Sequence, residues 1–209
     1  MKIAVINETS AADKNIDIIN ALDGRGHEIY NLGMKKSGSP PELTYIHTGL
    51  LTGLLLNLKK VDFVVGGCGT GQGYLNSAMQ YPGVFCGLMQ NPMDAWLFAQ
   101  INGGNCLSLA LNFQYGWAGD VNLKFMFDRL FSFEKLGEGY PEHRKTSQQQ
   151  SKQTLNEISY LAHKQMHEII MSIDSSIVKN VLAYPGILEF LDIHDVEDND
   201  LKNILAKFI

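Results

Sequence analysis

The first 131 residues alternate short apolar, β-branched runs with longer stretches whose apolar residues recur at helical spacing. The strand candidates cover residues 2–6, 27–32, 61–65, 83–89 and 106–111, and the helix candidates cover residues 13–22, 43–58, 73–80, 92–100 and 120–131. Strands and helices that alternate at these lengths are typical of a mainly parallel sheet with right-handed crossovers. We therefore predict an α/β fold with a doubly wound, five-stranded, mainly parallel sheet in the order 2-1-3-4-5.

The sequence changes character after Gly137. A polar segment, TSQQQSKQ, is compatible both with a linker and with a solvated helix face. Helical patterns follow over residues 155–173, 176–191 and 199–208. We therefore divide the chain into a Rossmann-like domain over residues 1–145 and a helical C-terminal extension over residues 146–209.

Charge and cysteine content exclude several functional classes. A net charge of −5 and a pI near 5.6 provide no general attraction for nucleic acid or for an anionic membrane. No apolar run has the length of a signal-peptide core or a membrane span, so we expect a cytoplasmic protein. The three cysteines lack CxxC spacing, and we expect reduced thiols rather than disulfides or a zinc site.

A glycine-rich segment, FVVGGCGTGQG over residues 63–73, follows the third predicted strand. In such sheets, ligands bind beyond the carboxyl ends of the strands where the strand order reverses, which places residues 7–10 and 67–73 at the expected site. The segment is not a dinucleotide or P-loop motif, because Gln72 and Tyr74 stand where those motifs need glycine or lysine. A phosphatase loop would need arginine at Tyr74.

Cys68 lies among these glycines, at the predicted start of a helix. A cysteine surrounded by backbone amides in this setting favours the thiolate, which serves as a nucleophile or as a base. A base that removes a proton next to a carbonyl needs hydrogen-bond donors for the developing enediolate, and this turn supplies amides. The alternative is a small side chain packed in a tight turn whose glycines serve only the bend.

Over residues 1–145 the sequence resembles the type B ribose-5-phosphate isomerases and the galactose-6-phosphate isomerase subunits. Their loop, C-G-T-G-x-G, is matched here by Cys68, Gly69, Thr70, Gly71, Gln72 and Gly73. Tyr45 in TYIHTG, Asn102 in QINGGN, and His143 and Arg144 in GEGYPEHR stand near further family site positions. The C-terminal region resembles an extension found in a divergent branch of ribose/galactose isomerases.

The resemblance implies a mechanism and an assembly. Cys68 would move a proton between C1 and C2 of a small phosphorylated sugar, Thr70 would assist ring opening, and the amides of residues 69–73 would hold the enediolate. Tyr45, Asn102, His143 and Arg144 would bind the substrate. The family reaction requires no metal and no organic cofactor, and a homodimer completes the active site at the subunit interface.

Several positions depart from the family pattern. An Asp-His pair after the first strand is replaced by Glu8 and Thr9, so only the carboxylate is kept, and we assign Glu8 an assisting role. The ring-opening histidine is replaced by Ile101, which implies a substrate that does not cyclise, or one opened by Thr70 and Glu8. We therefore predict an aldose–ketose isomerase, with a catalytically silent sugar-phosphate-binding or regulatory subunit as the alternative.

Two histidines in the C-terminal region, His163 and His167, are four residues apart on a predicted helix, a spacing that suits a metal pair. No third ligand is evident nearby, and HEIIM is not a zincin motif. We therefore expect no metal site.

Overall fold

The computed structural model describes all 209 residues and contains one five-stranded sheet in the order β2-β1-β3-β5-β4. All four neighbouring strand pairs are parallel. The strands are β1 (Lys2–Asn7), β2 (Glu28–Asn31), β3 (Phe63–Cys68), β4 (Cys86–Met89) and β5 (Cys106–Ala110). Helices cover both faces of the sheet, so the predicted doubly wound α/β fold is confirmed.

The predicted order of the last two strands is wrong. β5, not β4, pairs with β3, with Val64 beside Cys106 and Cys68 beside Ala110. An interior strand is covered on both faces, and the first four residues of β5 are buried. β4 has four residues, three of them only partly buried, and it contains Gly87. A short, glycine-containing strand suits the edge of the sheet.

Side chains alternate between the two faces along each strand. The helices of this part are α1 (Asn15–Leu22), α2 (Tyr45–Asn57), α3 (Gln72–Ala78), α4 (Pro92–Leu97) and α5 (Gly119–Leu130). Ile3 and Val5 face one layer, formed by α1, α4 and α5, whereas Ala4 and Ile6 face the other layer, formed by α2 and α3. A π-helical turn over Phe98–Asn102 continues α4.

Five further helices form the C-terminal region: α6 (Lys145–Ala162), α7 (Met166–Ser172), α8 (Ser175–Leu182), α9 (Ile187–Leu191) and α10 (Asn199–Leu205). The polar TSQQQSKQ segment is helical and lies in α6. The single helix predicted over residues 155–173 is wrong. His163 has an extended backbone, and a capping box between Gln165 and Glu168 starts a new helix, α7. None of the helices is both long enough and apolar enough to span a membrane.

The helix α2 is buried on two sides. Leu50, Leu51, Leu54 and Leu55 have no exposed surface, and they share one core with the sheet, α3 and helices α7–α10. A helix with apolar residues on more than one face requires a neighbour on each of those faces. The C-terminal helices therefore complete the layer to which α2 belongs.

Candidate active site

Three loops meet at the carboxyl ends of β1, β3 and β5, and the loop after β3 is held by hydrogen bonds to the loop after β5. The carbonyl of Cys68 accepts from the Leu111 amide at 3.0 Å. The carbonyl of Gly69 accepts from the amides of Asn112 and Phe113, both at 2.9 Å. The backbone that follows Cys68 is therefore fixed against β5.

The loop after β1 places a carboxylate beside this backbone. Glu8 is buried, with 3% of its surface exposed, and its carboxylate accepts a hydrogen bond from the Ser10 hydroxyl. The same hydroxyl accepts from the Gly69 amide at 3.0 Å. The Asn112 side-chain amide donates to the Ser10 carbonyl at 2.7 Å. Glu8 and the Cys68 loop are thus connected through one serine.

A small network of buried amides supports the loop after β1. Asn15 donates to the side-chain oxygen of Asn7 at 3.0 Å, and Asn15 and Asn31 exchange two hydrogen bonds at 2.9 and 2.8 Å. Asn7 also donates to the Ala11 carbonyl at 3.2 Å. Because these bonds tie Ala11 and Asn15 to Asn7 at the end of β1, and Asn15 in turn to the end of β2, the loop that carries Glu8 has a defined conformation.

Cys68 is the last residue of β3, and 6% of its surface is exposed. Gly71 then turns the chain in the left-handed region, with φ of 76°, and its carbonyl accepts from Ser108 at 2.6 Å. The amides of Thr70 and Gly71 make no hydrogen bond within the chain, whereas the Gly69 amide is occupied by Ser10. Of the amides predicted to hold an enediolate, those of residues 69–73, the Gly69 amide is not available, because its N–H already donates to Ser10.

Tyr74 anchors the helix that follows the loop. It is fully buried, and a Cβ atom at Gly66 would lie 2.0 Å from its ring, so only glycine fits there. Its hydroxyl lies 2.6 Å from the Thr52 hydroxyl and 3.4 Å from the Cys106 sulfur. Burial raises the pKa of Tyr74 well above its usual value, so this anchor stays protonated.

Tyr45 reaches the same loop from the start of α2. A Cβ atom at Gly73 would lie 3.1 Å from the Tyr45 ring, so the ring and the glycine are in contact. The helix start is held by His47, whose Nδ1 accepts from the Thr44 amide at 3.1 Å. Burial lowers the pKa of His47, which favours the neutral ring that this bond needs.

Asn102, His143 and Arg144 lie away from Cys68 within one protomer. Cys68 is beside the carboxyl end of β5, whereas Asn102 precedes its amino end, and a strand of this length spans about 13 Å. Asn102 lines a cavity of about 560 Å³, and Cys68 is not among the residues that line it. His143 and Arg144 are exposed in a short 3₁₀ turn before α6. The structure thus brings together Glu8, Tyr45 and residues 68–73, but not these three.

No group of three histidine, cysteine, aspartate or glutamate side chains is placed to hold a metal ion. His163 instead joins two segments of backbone: Nδ1 lies 2.8 Å from the Ser159 carbonyl and Nε2 lies 3.2 Å from the Met79 carbonyl. His167 belongs to the next helix. The two histidines therefore do not lie on one face of a single helix, as their spacing predicted.

The prediction from the sequence did not include two residues of this site, Ser10 and Asn112. Ser10 lies in the loop that the switch-point rule marks, but its bond to Gly69 joins positions 59 residues apart. Asn112 follows β5, which is next to Cys68 only because β5 pairs with β3. Asn112 could therefore have been identified only from the correct strand order, because no local sequence motif marks it.

Comparisons with known proteins agree with this architecture. The profile of the family described as Ribose/Galactose Isomerase matches residues 3–126. The crystal structure of a ribose-5-phosphate isomerase from Vibrio parahaemolyticus is 39% identical, with a TM-score of 0.93, over 100% of this chain and 99% of that chain. No curated protein sequence matches the chain.

Two further structures are similar. A 4-deoxy-L-threo-5-hexosulose-uronate ketol-isomerase, crystallised with a tartrate, is 36% identical with a TM-score of 0.91, over 100% of this chain and 99% of that chain. A ribose 5-phosphate isomerase from Thermotoga maritima is 21% identical with a TM-score of 0.58, over 75% and 97% of the two chains, and it shows the fold alone. The resemblance read from the residues is confirmed: the chain belongs to the ribose/galactose isomerase family, and it is a sugar isomerase.

Proposed function

We propose that the protein interconverts the aldose and ketose forms of a small, anionic, open-chain sugar, with Cys68 as the base. The observation that supports this most directly is the placement of Cys68 at the end of β3. Two unpaired amides, of Thr70 and Gly71, follow it, and the Glu8 carboxylate is linked to the same loop through Ser10. A base, oxyanion donors and a second proton acceptor are the groups that an enediol mechanism needs.

The proton movements balance with these residues. The Cys68 thiolate removes the proton from C2 of the aldose, and the negative charge moves to the carbonyl oxygen at C1, where the free amides of Thr70 and Gly71 donate to it. The hydroxyl proton moves from the oxygen at C2 to the oxygen at C1, with Glu8 or Thr70 as the carrier. Cys68 returns its proton to C1, which gives the ketose and restores the thiolate.

The first candidate substrate is a small phosphorylated sugar of the ribose-5-phosphate kind. It is supported by the full-length similarity to the Vibrio parahaemolyticus isomerase. Arg144 and His143 are exposed and form no ion pair within the chain, so they are free to bind a phosphate. Because both residues lie away from Cys68 in the protomer, we propose that they act on the active site of a partner subunit.

A second candidate substrate is an unphosphorylated sugar acid of the hexosulose-uronate kind. The similarity to the hexosulose-uronate ketol-isomerase also extends over the whole chain. A 4-deoxy-5-keto acid has no hydroxyl at C4 or C5 with which to close a ring on C1. Such a substrate needs no imidazole to open a ring. This agrees with Ile101, which stands where the type B ribose-5-phosphate isomerases have the ring-opening histidine.

The proposed function is tested by incubating the purified protein with these candidates in deuterated water. We expect one of them to isomerise and to take up solvent deuterium at the proton-transfer carbon, measured by NMR. The compounds tested are tetrose, pentose and hexose phosphates and a 4-deoxy-5-hexosulose uronate. Binding of a sugar phosphate without turnover or deuterium uptake would instead favour the silent-subunit alternative.

We also propose that a homodimer completes the active site. The helix α6 has 18 residues, of which only Ser159 is buried, and an isolated helix of this length is marginally stable. It exposes Leu155, Ile158 and Leu161, the last with 86% of its surface. Asn102 is also exposed, and its side chain forms no hydrogen bond in the protomer. A second copy packed on this face would cover the apolar residues and bring Asn102 and Arg144 towards the Cys68 loop of its partner.

This assembly predicts that the Ile158→Glu/Leu161→Glu variant dissociates. Burying two carboxylates in an apolar interface opposes association, and we expect the dimer dissociation constant to rise at least about 100-fold. Light scattering coupled to gel filtration measures the change, and isomerisation should fall together with the dimer fraction. Lys207→Glu, an exposed charge change beyond α10, is the control and should leave the mass unchanged. A monomeric wild-type protein with full activity would contradict the proposal.

A further inference from the structure

We propose that Ser10 is a positioning residue of the isomerase site, which holds the Glu8 carboxylate and the Cys68 loop in a fixed relation. This inference rests on the proposed function of Cys68 and Glu8. The polar chain Glu8–Ser10–Gly69 joins the loops after β1 and β3, the two strands between which the sheet order reverses.

The direction of each hydrogen bond in this chain is determined by its groups. A backbone amide only donates, so the Ser10 oxygen accepts from Gly69 at 3.0 Å. The single hydroxyl proton of Ser10 is then given to the Glu8 carboxylate. Asn112 holds the Ser10 carbonyl at 2.7 Å, so both ends of the serine are restrained.

The bonds on either side of the Cys68–Gly69 peptide restrain its rotation. Its carbonyl accepts from Leu111 at 3.0 Å, and its N–H donates to Ser10. The direction of the Cys68 side chain relative to Glu8 therefore depends on the serine hydroxyl. Oε1 of Glu8 is occupied by Ser10, while Oε2 makes no hydrogen bond within the chain and is available to a substrate hydroxyl.

Ser10→Ala removes the hydroxyl and tests this role. Because small misplacements of reacting groups are costly, we expect kcat to fall about 10- to 100-fold, with KM within about threefold and little change in Tm. Ser10 is exposed, so Ser10→Thr fits and should restore kcat to within about threefold of the wild type. Ser132→Ala, an exposed serine after α5, is the matched control and should behave as wild type.

A double variant shows whether the serine acts through the carboxylate. We expect Ser10→Ala to lower kcat much less in a Glu8→Gln background than in the wild type. Equal effects in both backgrounds, or full kcat in Ser10→Ala, would overturn the positioning role. Absence of turnover in the wild type would instead overturn the proposed function.

The hydrogen bond between the Gly69 amide and Ser10 can also be tested by a measurement that needs no turnover. Hydrogen exchange at the Gly69 amide should be at least about tenfold faster in Ser10→Ala than in the wild type, because the amide loses its acceptor. Ser10→Thr should keep the slow exchange. Unchanged exchange in Ser10→Ala would show that Gly69 is not held by this hydroxyl, and it would overturn the inference even in a protein without measurable turnover.

Discussion

Cys68→Ala is expected to lose about a thousandfold of the isomerisation rate, because general-base catalysis contributes roughly 100- to 10,000-fold. The variant removes the proposed base, while the amides of Thr70 and Gly71 and the Glu8 carboxylate stay in place. Substrate binding should change little, since the proposed binding groups are retained. Turnover and deuterium uptake into the sugar, both followed by NMR, measure the loss.

The matched control is Cys106→Ala. This thiol is also buried, in the neighbouring strand β5, and it belongs to the same core cluster as Cys68. We expect it to lower Tm modestly, since its sulfur lies 3.4 Å from the Tyr74 hydroxyl, and to keep activity within about threefold of the wild type. Cys68→Ala with more than a tenth of the wild-type rate would contradict the assignment of the base.

Much of the fold follows from local sequence, because the apolar spacing of each strand and helix can be interpreted independently of its neighbours. Strand order is different, since it depends on which of the later strands pairs with the edge of β3 that β1 leaves free. GVFCGLM and CLSLAL both contain apolar runs, so local pattern does not separate β4 from β5. The break after α6 was missed for a similar reason, because His163 and Lys164 are not strong helix breakers.

The candidate site likewise contains some residues that local sequence predicts and others that it does not. The location of Cys68, Thr70 and Glu8 at the carboxyl ends of β3 and β1 could be predicted, because the end of a strand fixes the residues beside it, whereas their catalytic roles stay predictions. Ser10 and Asn112 act through contacts between distant segments. The incorrect strand order also hid Asn112, since the order 2-1-3-4-5 would have placed β5 one strand away from Cys68.

A protein truncated after residue 145 is expected to be unfolded or insoluble. Of the 26 residues in the core cluster around α2, 11 belong to the C-terminal helices. Their removal would expose Leu50, Leu51, Leu54 and Leu55 to water on one side of α2. Burying one such side chain stabilises a fold by about 1.5–3 kcal/mol, and a whole domain is stable by only about 5–15 kcal/mol. Circular dichroism on heating measures the loss of a cooperative transition.

Two full-length variants separate lost packing from simple shortening of the chain. Val178 on α8 is fully buried in this cluster, whereas Lys179 beside it is exposed. We expect Val178→Asp to lower the free energy of unfolding by at least about 3 kcal/mol, since an unpaired charge enters the core, and Lys179→Asp to change it by less than about 1 kcal/mol. A cooperative transition of residues 1–145 near the full-length Tm would instead show that this domain folds without the extension. In that case α2 would tolerate an exposed apolar face.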